Sequence, residues 1–257
     1  MHSKPIGVFD SGVGGLSVLN ALKEMLPNED IFYVADQAYT PYGKRTKQTI
    51  TSRAMAVTKW LVAQECKLVV VACNTATTNA ISQLREHFSI PFVGVEPAIK
   101  PAALDSKTGV IGVLATAGTL TSTLFQSTAQ DYTQELEVIS QVGHGLVGLV
   151  EEGKADSQAT EKQLRDILYP MLKKPIDHLV LGCTHYPFLT QTLRKILPEN
   201  VAIVDCSTAV AEQTRRLLDL NNLYNKSGGR NAYYTTASPK IDLWKSFGVD
   251  HVNQLKI

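Results

Sequence analysis

Residues 67–84, KLVVVACNTATTNAISQL, leave few folds open to this chain. Residues 68–72 are a short, unbroken apolar and β-branched run, the pattern of a strand buried on both faces of a parallel sheet. Cys73 stands where that strand ends. Asn74, Thr75, Thr77 and Thr78 are capping types, and Ala80, Ile81 and Leu84 recur at helical spacing, so the chain turns into a helix. A thiol is thereby held at a strand's carboxyl end beside a helix N-terminus, the edge of an α/β sheet where ligands bind. Residues 178–196, HLVLGCTHYPFLTQTLRKI, repeat the design. There 179–182 is the strand, Cys183 closes it, and Pro187 suits the first turn of a helix carrying Phe188, Leu189, Thr192 and Leu193.

The echo extends beyond the two cysteines. A strand over 5–9 ends at Asp10, followed by the glycine-rich turn Ser11-Gly12-Val13-Gly14-Gly15 and a helix over 16–26. A second strand over 31–35 ends at Asp36; a polar loop over 37–45 and a helix over about 49–64 lead to the first cysteine unit. A strand over 91–95 then ends at Glu96 and Pro97. From Gly109 the order returns: a strand over 110–114, a turn at 116–118, a helix from about Leu120 and a strand over 136–139. A glycine-rich loop over 143–153, a helix over 159–172, the second cysteine unit and a strand over 201–204 complete it. Equivalent points lie about 105 to 110 residues apart, as Gly7 and Gly112 or Cys73 and Cys183 show.

Element order of this kind predicts an α/β protein of two similar parallel-sheet domains related by pseudo-two-fold symmetry, with the active site in the cleft between them. The remaining tail reads as an amphipathic helix over 207–220, a strand over 233–236 and a short helix over 242–247. It is expected to cross back to the first half. The first domain is then discontinuous, 1–97 plus 207–257, and the second, 98–206, is an insertion.

Composition narrows the function classes. A formal net charge of +1 over 257 residues supports neither a nucleic-acid surface nor a polybasic membrane patch. No apolar run approaches the roughly 20 residues of a membrane span, and the first strand opens too early for a signal peptide. The expectation is a cytoplasmic protein whose four cysteines are reduced thiols.

If the two halves face each other, Cys73 and Cys183 approach one substrate from opposite sides. Inversion at a carbon acid needs that symmetry: one group removes the proton, a planar carbanion forms, and the opposite group returns a proton to the other face. Only the thiolate is a good base, and an ordinary cysteine with a pKa near 8.5 is mostly protonated at neutral pH. A helix N-terminus contributes roughly 0.3 to 1 kcal/mol, less than the roughly 1.4 kcal/mol of one pKa unit. Charged partners are therefore required, and Asp10, Asp36, Glu151 and His185 stand at neighbouring strand ends. Ser11, Asn74, Thr75 and Thr184, with turn amides, can hold carboxylates as helix N-termini hold anions.

Four segments, DSGVGGLSVL, PYGKR, ACNTAT and GCTHYPFL, together resemble the glutamate racemases, the cofactor-independent branch of the aspartate/glutamate racemase family. The resemblance runs over essentially the whole chain. It implies interconversion of L- and D-glutamate by two opposed cysteines, without pyridoxal phosphate or metal, to supply D-glutamate for bacterial peptidoglycan. It makes Cys183 the base acting on L-glutamate and Cys73 the base acting on D-glutamate. Asp10 would assist Cys73 and His185 would assist Cys183, with Glu151, rather than Glu152, nearby. Substrate contacts would fall on Asp10, Ser11, Tyr42, Gly43, Asn74, Thr75, Thr184 and His185. Thr77 and Phe188 depart from the commoner family residues without touching a proposed catalytic atom. The resemblance also implies a homodimer. Some relatives answer to a cell-wall precursor through an N-terminal extension, and a chain that starts this close to its first strand is expected to lack that control.

Other readings compete. Cys66 and Cys206 read as small buried hydrophobes, Asp36 as a turn-capping carboxylate, and Glu151 and Glu152 as a solvated pair. The turn after Asp10 could cradle a phosphate, although it lacks the lysine and hydroxyl of a P-loop. Cys183 and His185 could hold zinc, although no paired-cysteine spacing supports that. A related racemase acting on aspartate would need the same thiol pair.

Overall fold

The computed structural model describes residues 4–132 and 136–257. Residues 1–3 and 133–135 of the expected domains lie outside the described part. The first half runs β1 (Ile6–Asp10), α1 (Leu16–Met25), β2 (Ile31–Ala35), α2 (Lys47–Ala63), β3 (Leu68–Val71), α3 (Asn74–His87) and β4 (Phe92–Gly94). It is followed by α4 (Ile99–Asp105), β5 (Val110–Ala115), α5 (Ala117–Leu120), α6 (Thr123–Tyr132), β6 (Glu137–Val142), α7 (Leu146–Glu151), α8 (Gln158–Leu168), β7 (His178–Gly182), α9 (Thr190–Arg194) and β8 (Ala202–Val204). The tail adds α10 (Ser207–Leu220), β9 (Asn231–Thr235), α11 (Ile241–Ser246) and β10 (Asn253–Gln254).

The strands form two parallel sheets, one ordered β10-β9-β2-β1-β3-β4 and the other β6-β5-β7-β8. The core order of the first, β2-β1-β3-β4, is the order of the second, which gives the repeat seen in the sequence a topological form. In the tail, β9 pairs in parallel with β2 from Ile31 opposite Asn231 to Ala35 opposite Thr235. Every residue of β1, β3 and β5 is buried, as expected of central strands covered by helices on both faces.

Hydrophobic packing is not divided evenly between the halves. One cluster packs α2 and α3 against the first sheet, with Leu61, Val69 and Leu84. Another belongs to the second sheet, with Ile99, Ile111 and Val180. The third crosses between them, joining Ile6, Leu19 and Leu22 to Leu146, Leu164, Leu179 and Leu193, with Val210 and Trp244 of the tail.

Four sequence expectations need correction. The turn expected at 116–118 is already helical: Thr116 caps α5 by accepting the Thr119 amide at 3.3 Å, and the next helix begins only at Thr123. The glycine-rich run over 143–153 contains α7, started by Gly145 at φ 74° and held by burial of Leu146, Val147 and Val150. The helix expected over 159–172 stops at Leu168, because Pro170 cannot continue it. The polar loop over 37–45 is two short 3-10 turns, 37–39 and 42–44. Among the described residues no helix is long and apolar enough to cross a membrane.

Candidate active site

The carboxyl ends of β1, β3, β5 and β7 point into one cleft. Ser11, Pro41, Tyr42, Gly43, Cys73, Asn74, Thr75, Thr116, Val147, Cys183, Thr184 and His185 line a narrow cavity there of about 20 Å³. That is room for about one water molecule, so a substrate needs the cleft to open. Both thiols, which come from different sheets, therefore face the same space. Cys73 is 5% and Cys183 7% exposed.

Each thiol is held by its local backbone and by a charged neighbour. Cys73 is the N-cap of α3, its sulfur accepting the Ala76 amide at 3.4 Å and lying 3.9 Å from Ser11 Oγ. Burial pushes its pKa well up, and the Asp10 carboxylate pushes it further. Cys73 is thus a thiol, a proton donor. Cys183 has a different companion: its sulfur is 3.9 Å from His185 Nδ1.

His185 is fixed from its other side. Nε2 lies 2.7 Å from Glu151 Oε1, and the same oxygen accepts the Val13 amide at 2.7 Å. Burial opposes charge on this imidazole, but hydrogen bonds to Cys183 and Glu151 and the charge of Asp10 outweigh it, so the pKa is raised well above its ordinary value. Burial likewise opposes ionisation of Glu151, and His185, Gln37 and the Val13 amide overcome it, leaving the carboxyl below its ordinary pKa. Both shifts favour imidazolium against carboxylate. Glu152, by contrast, is exposed and pairs with Lys154.

Asp10 is fully buried beneath the cavity. Its carboxylate accepts the Gly12 amide at 2.6 Å and the Thr184 hydroxyl at 2.9 Å. Burial raises its pKa to about 6, against the lowering effects of His185 and these hydrogen bonds. Asp36 lies behind the wall of the cleft: it is paired with Arg53 at 2.8 Å and accepts hydroxyls from Tyr42 at 2.6 Å and Thr236 at 2.7 Å. It therefore reaches the cavity only through Tyr42.

The glycines of the turn after Asp10 have a steric reason. A Cβ at Gly12 would collide with the Glu151 carboxylate, and one at Gly14 with the His185 ring. The turn is bare so that two side chains of the other half can pack on it. Its Val13 amide is occupied by Glu151, which removes the phosphate-cradle reading. Among the described residues no group of three His, Cys, Asp or Glu side chains could hold a metal ion. Cys66 and Cys206 are buried away from the cavity lining, and burial pushes both thiols up to about 12.

Asn74 stands out among the lining residues. It is 2% exposed, and both its Oδ1 and Nδ2 are buried without a hydrogen-bond partner among the described residues. An amide left so costs about 1–3 kcal/mol, a cost that a polar ligand would relieve. Pro41, Thr116 and Val147 also line the cleft and escaped the sequence reading. Thr116 has a signal in hindsight, since it follows β5 as Ser11 follows β1.

The profile of Asp/Glu/Hydantoin racemases matches residues 6–214. The chain belongs to that family. As a family member it is an enzyme of the isomerase class, and its relatives extend the match over nearly all of its length. The glutamate racemase of Herpetosiphon aurantiacus is 46% identical over 241 residues, covering 93% of this chain and 95% of the relative. The crystal structure of Escherichia coli glutamate racemase in complex with L-glutamate and the activator UDP-MurNAc-Ala superposes with a TM-score of 0.87 at 33% identity, covering 98% of each chain. Glutamate racemase from Francisella tularensis in complex with D-glutamate gives 0.86 at 32% identity, covering 100% of this chain and 98% of that one.

Proposed function

We propose that this racemase-family enzyme interconverts L- and D-glutamate by two-base proton transfer between Cys183 and Cys73. The observation that carries the proposal is the pair of thiols lining one small cavity from opposite sheets. In the L-to-D direction the Cys183 thiolate takes the α-proton and becomes a thiol. The carbanion then takes the proton of the Cys73 thiol on its opposite face, leaving Cys73 a thiolate. The reverse direction exchanges the two roles, so the count of protons on the pair is conserved.

The polar lining fits a substrate with two carboxylates and an ammonium group. Asn74 has both a donor and an acceptor to offer, and Ser11, Thr75 and Thr184 add hydroxyls. The Asp10 carboxylate supplies negative charge for an ammonium group, and the imidazolium of His185 supplies positive charge beside Cys183. Glutamate is favoured over aspartate because the relatives at 46% identity carry the name glutamate racemase. The product D-glutamate would serve peptidoglycan synthesis. The division into domains 1–97 plus 207–257 and 98–206 belongs to the same reading, the tail strands completing the first sheet.

Incubation of L-glutamate in heavy water tests the proposal. Decay of optical rotation to zero, with solvent deuterium at Cα of the D-glutamate formed, is expected. An active, folded preparation that leaves rotation and Cα hydrogen unchanged would refute it.

A further inference from the structure

Gln37 does not line the cavity, yet it touches the charged pair behind Cys183. Its Nε2 donates to Glu151 Oε2 at 2.7 Å, and its Oε1 accepts the Thr235 hydroxyl at 2.7 Å. Thr235 is fully buried at the end of β9, and its oxygen accepts the Ala237 amide at 3.3 Å. That bond leaves the hydroxyl hydrogen free for Gln37. The carboxylate of Glu151 can only accept, so the amide has one useful orientation, N–H toward Glu151 and C=O toward Thr235. Since Glu151 Oε1 already takes Val13 and His185, Gln37 is what fixes the second oxygen.

We propose that Gln37 is a positioning residue for the Cys183 side of the reaction: locked by Thr235 of the tail strand, its amide anchors the Glu151 carboxylate against His185. The series Thr235, Gln37, Glu151, His185, Cys183 ties the last strand pair of the first sheet to a sulfur of the second. A glutamate at 37 would present a like charge to Glu151, whereas glutamine presents a donor. This inference rests on the two-thiol racemase reading.

The test compares the full-length wild type with Gln37→Leu, Gln37→Glu and Thr235→Val, following racemisation from both enantiomers, with thermal melts to establish folding. Gln37→Leu should lower kcat by about tenfold and leave KM within about twofold, since the residue orders a proton-transfer group and does not touch substrate. Thr235→Val should act in the same direction, by about threefold, by freeing the amide to turn. Gln37→Glu carries the distinguishing signature. Two facing carboxylates share a proton as pH falls, and the protonated carboxyl then donates as the amide did. Its activity relative to wild type should therefore rise by about tenfold between pH 8 and pH 6. A kcat unchanged in Gln37→Leu, an effect confined to KM, or a Gln37→Glu profile parallel to wild type would overturn the inference. Should Gln37→Leu fail to fold, the pH ratio of Gln37→Glu and the kcat of Thr235→Val decide it. An active wild type with indifferent Gln37 variants sinks this inference alone; a folded wild type that does not racemise glutamate sinks the function reading as well.

Discussion

His185 Nε2 and Glu151 Oε1 lie 2.7 Å apart although 34 residues separate them in the chain. The contact is inside the protein, with His185 2% and Glu151 8% exposed. Breaking a buried charge pair by removing one partner costs far more than losing a surface pair. Glu151→Gln keeps the shape and a hydrogen-bonding oxygen but loses the charge, so kcat should fall by about 10- to 100-fold. Glu152→Gln, altering an exposed carboxylate, should stay within about twofold of wild type. Equal losses in the two variants, measured by steady-state racemisation, would count against the buried pair's role.

Asp10 predicts a trade of activity for stability. Its pKa is 3.8 ordinarily and about 6 in the fold, so the native state holds its proton more tightly than the unfolded chain does. Stability from this group therefore falls as pH rises from about 4 to 6, and above that it costs about 3 kcal/mol. Asp10→Asn can keep the bonds to Gly12 and Thr184 without the charge. It should raise Tm at pH 7 to 8, with the gain vanishing below about pH 4, while racemisation is largely lost. A neutral-pH Tm below that of wild type would contradict the raised pKa.

Cys73→Ala and Cys183→Ala should each lower racemisation by at least about 1,000-fold, because neither face can be served by the other thiol. Melting curves within a few degrees of wild type would show that the loss is chemical. Near-normal turnover in either single variant would remove the two-base assignment.

Asn74→Leu should separate binding from folding. It replaces an amide with two unpartnered buried atoms by an apolar side chain of similar size, which should stabilise the free protein by about 1 kcal/mol. The same change removes polar contacts offered to the substrate, and KM should rise by at least about tenfold. Isothermal titration with D-glutamate and a thermal melt measure the two effects on one sample.

Gly14→Ala tests the reason for the bare turn. The new methyl would overlap the His185 ring, so either the ring or the turn must move. The expected cost is about 1–3 kcal/mol in stability, with kcat reduced because His185 leaves Cys183. Urea unfolding and racemisation assays should report both losses together.

The elements legible in the sequence were those whose burial is simple. β1, β2 and β3 read as strands because both faces are covered, and α10 falls where its amphipathic spacing placed it, over Ser207–Leu220. α7 was hidden because glycines at 143, 145, 148 and 153 mask three buried apolar residues and Glu151. The thiols, Asp10 and His185 were visible because each ends a strand or follows one. Gln37 was not, since its partners lie 114 and 198 residues away, and no local pattern encodes such distant contacts. Thr116 and Val147 were missed for a related reason: each sits in a segment read as turn or loop.

The shared apolar cluster makes the two halves unequal in how they can part. On one side Leu19 and Leu22 sit in a continuous core with Leu146 and Leu193, and separating them would expose hydrocarbon to water. At the cavity rim the halves meet through the Thr75 and Thr116 hydroxyls, 3.0 Å apart, a bond that water can replace at little cost. The threonine rim is thus the weaker seam, and parting the halves there costs less than parting them along the apolar side.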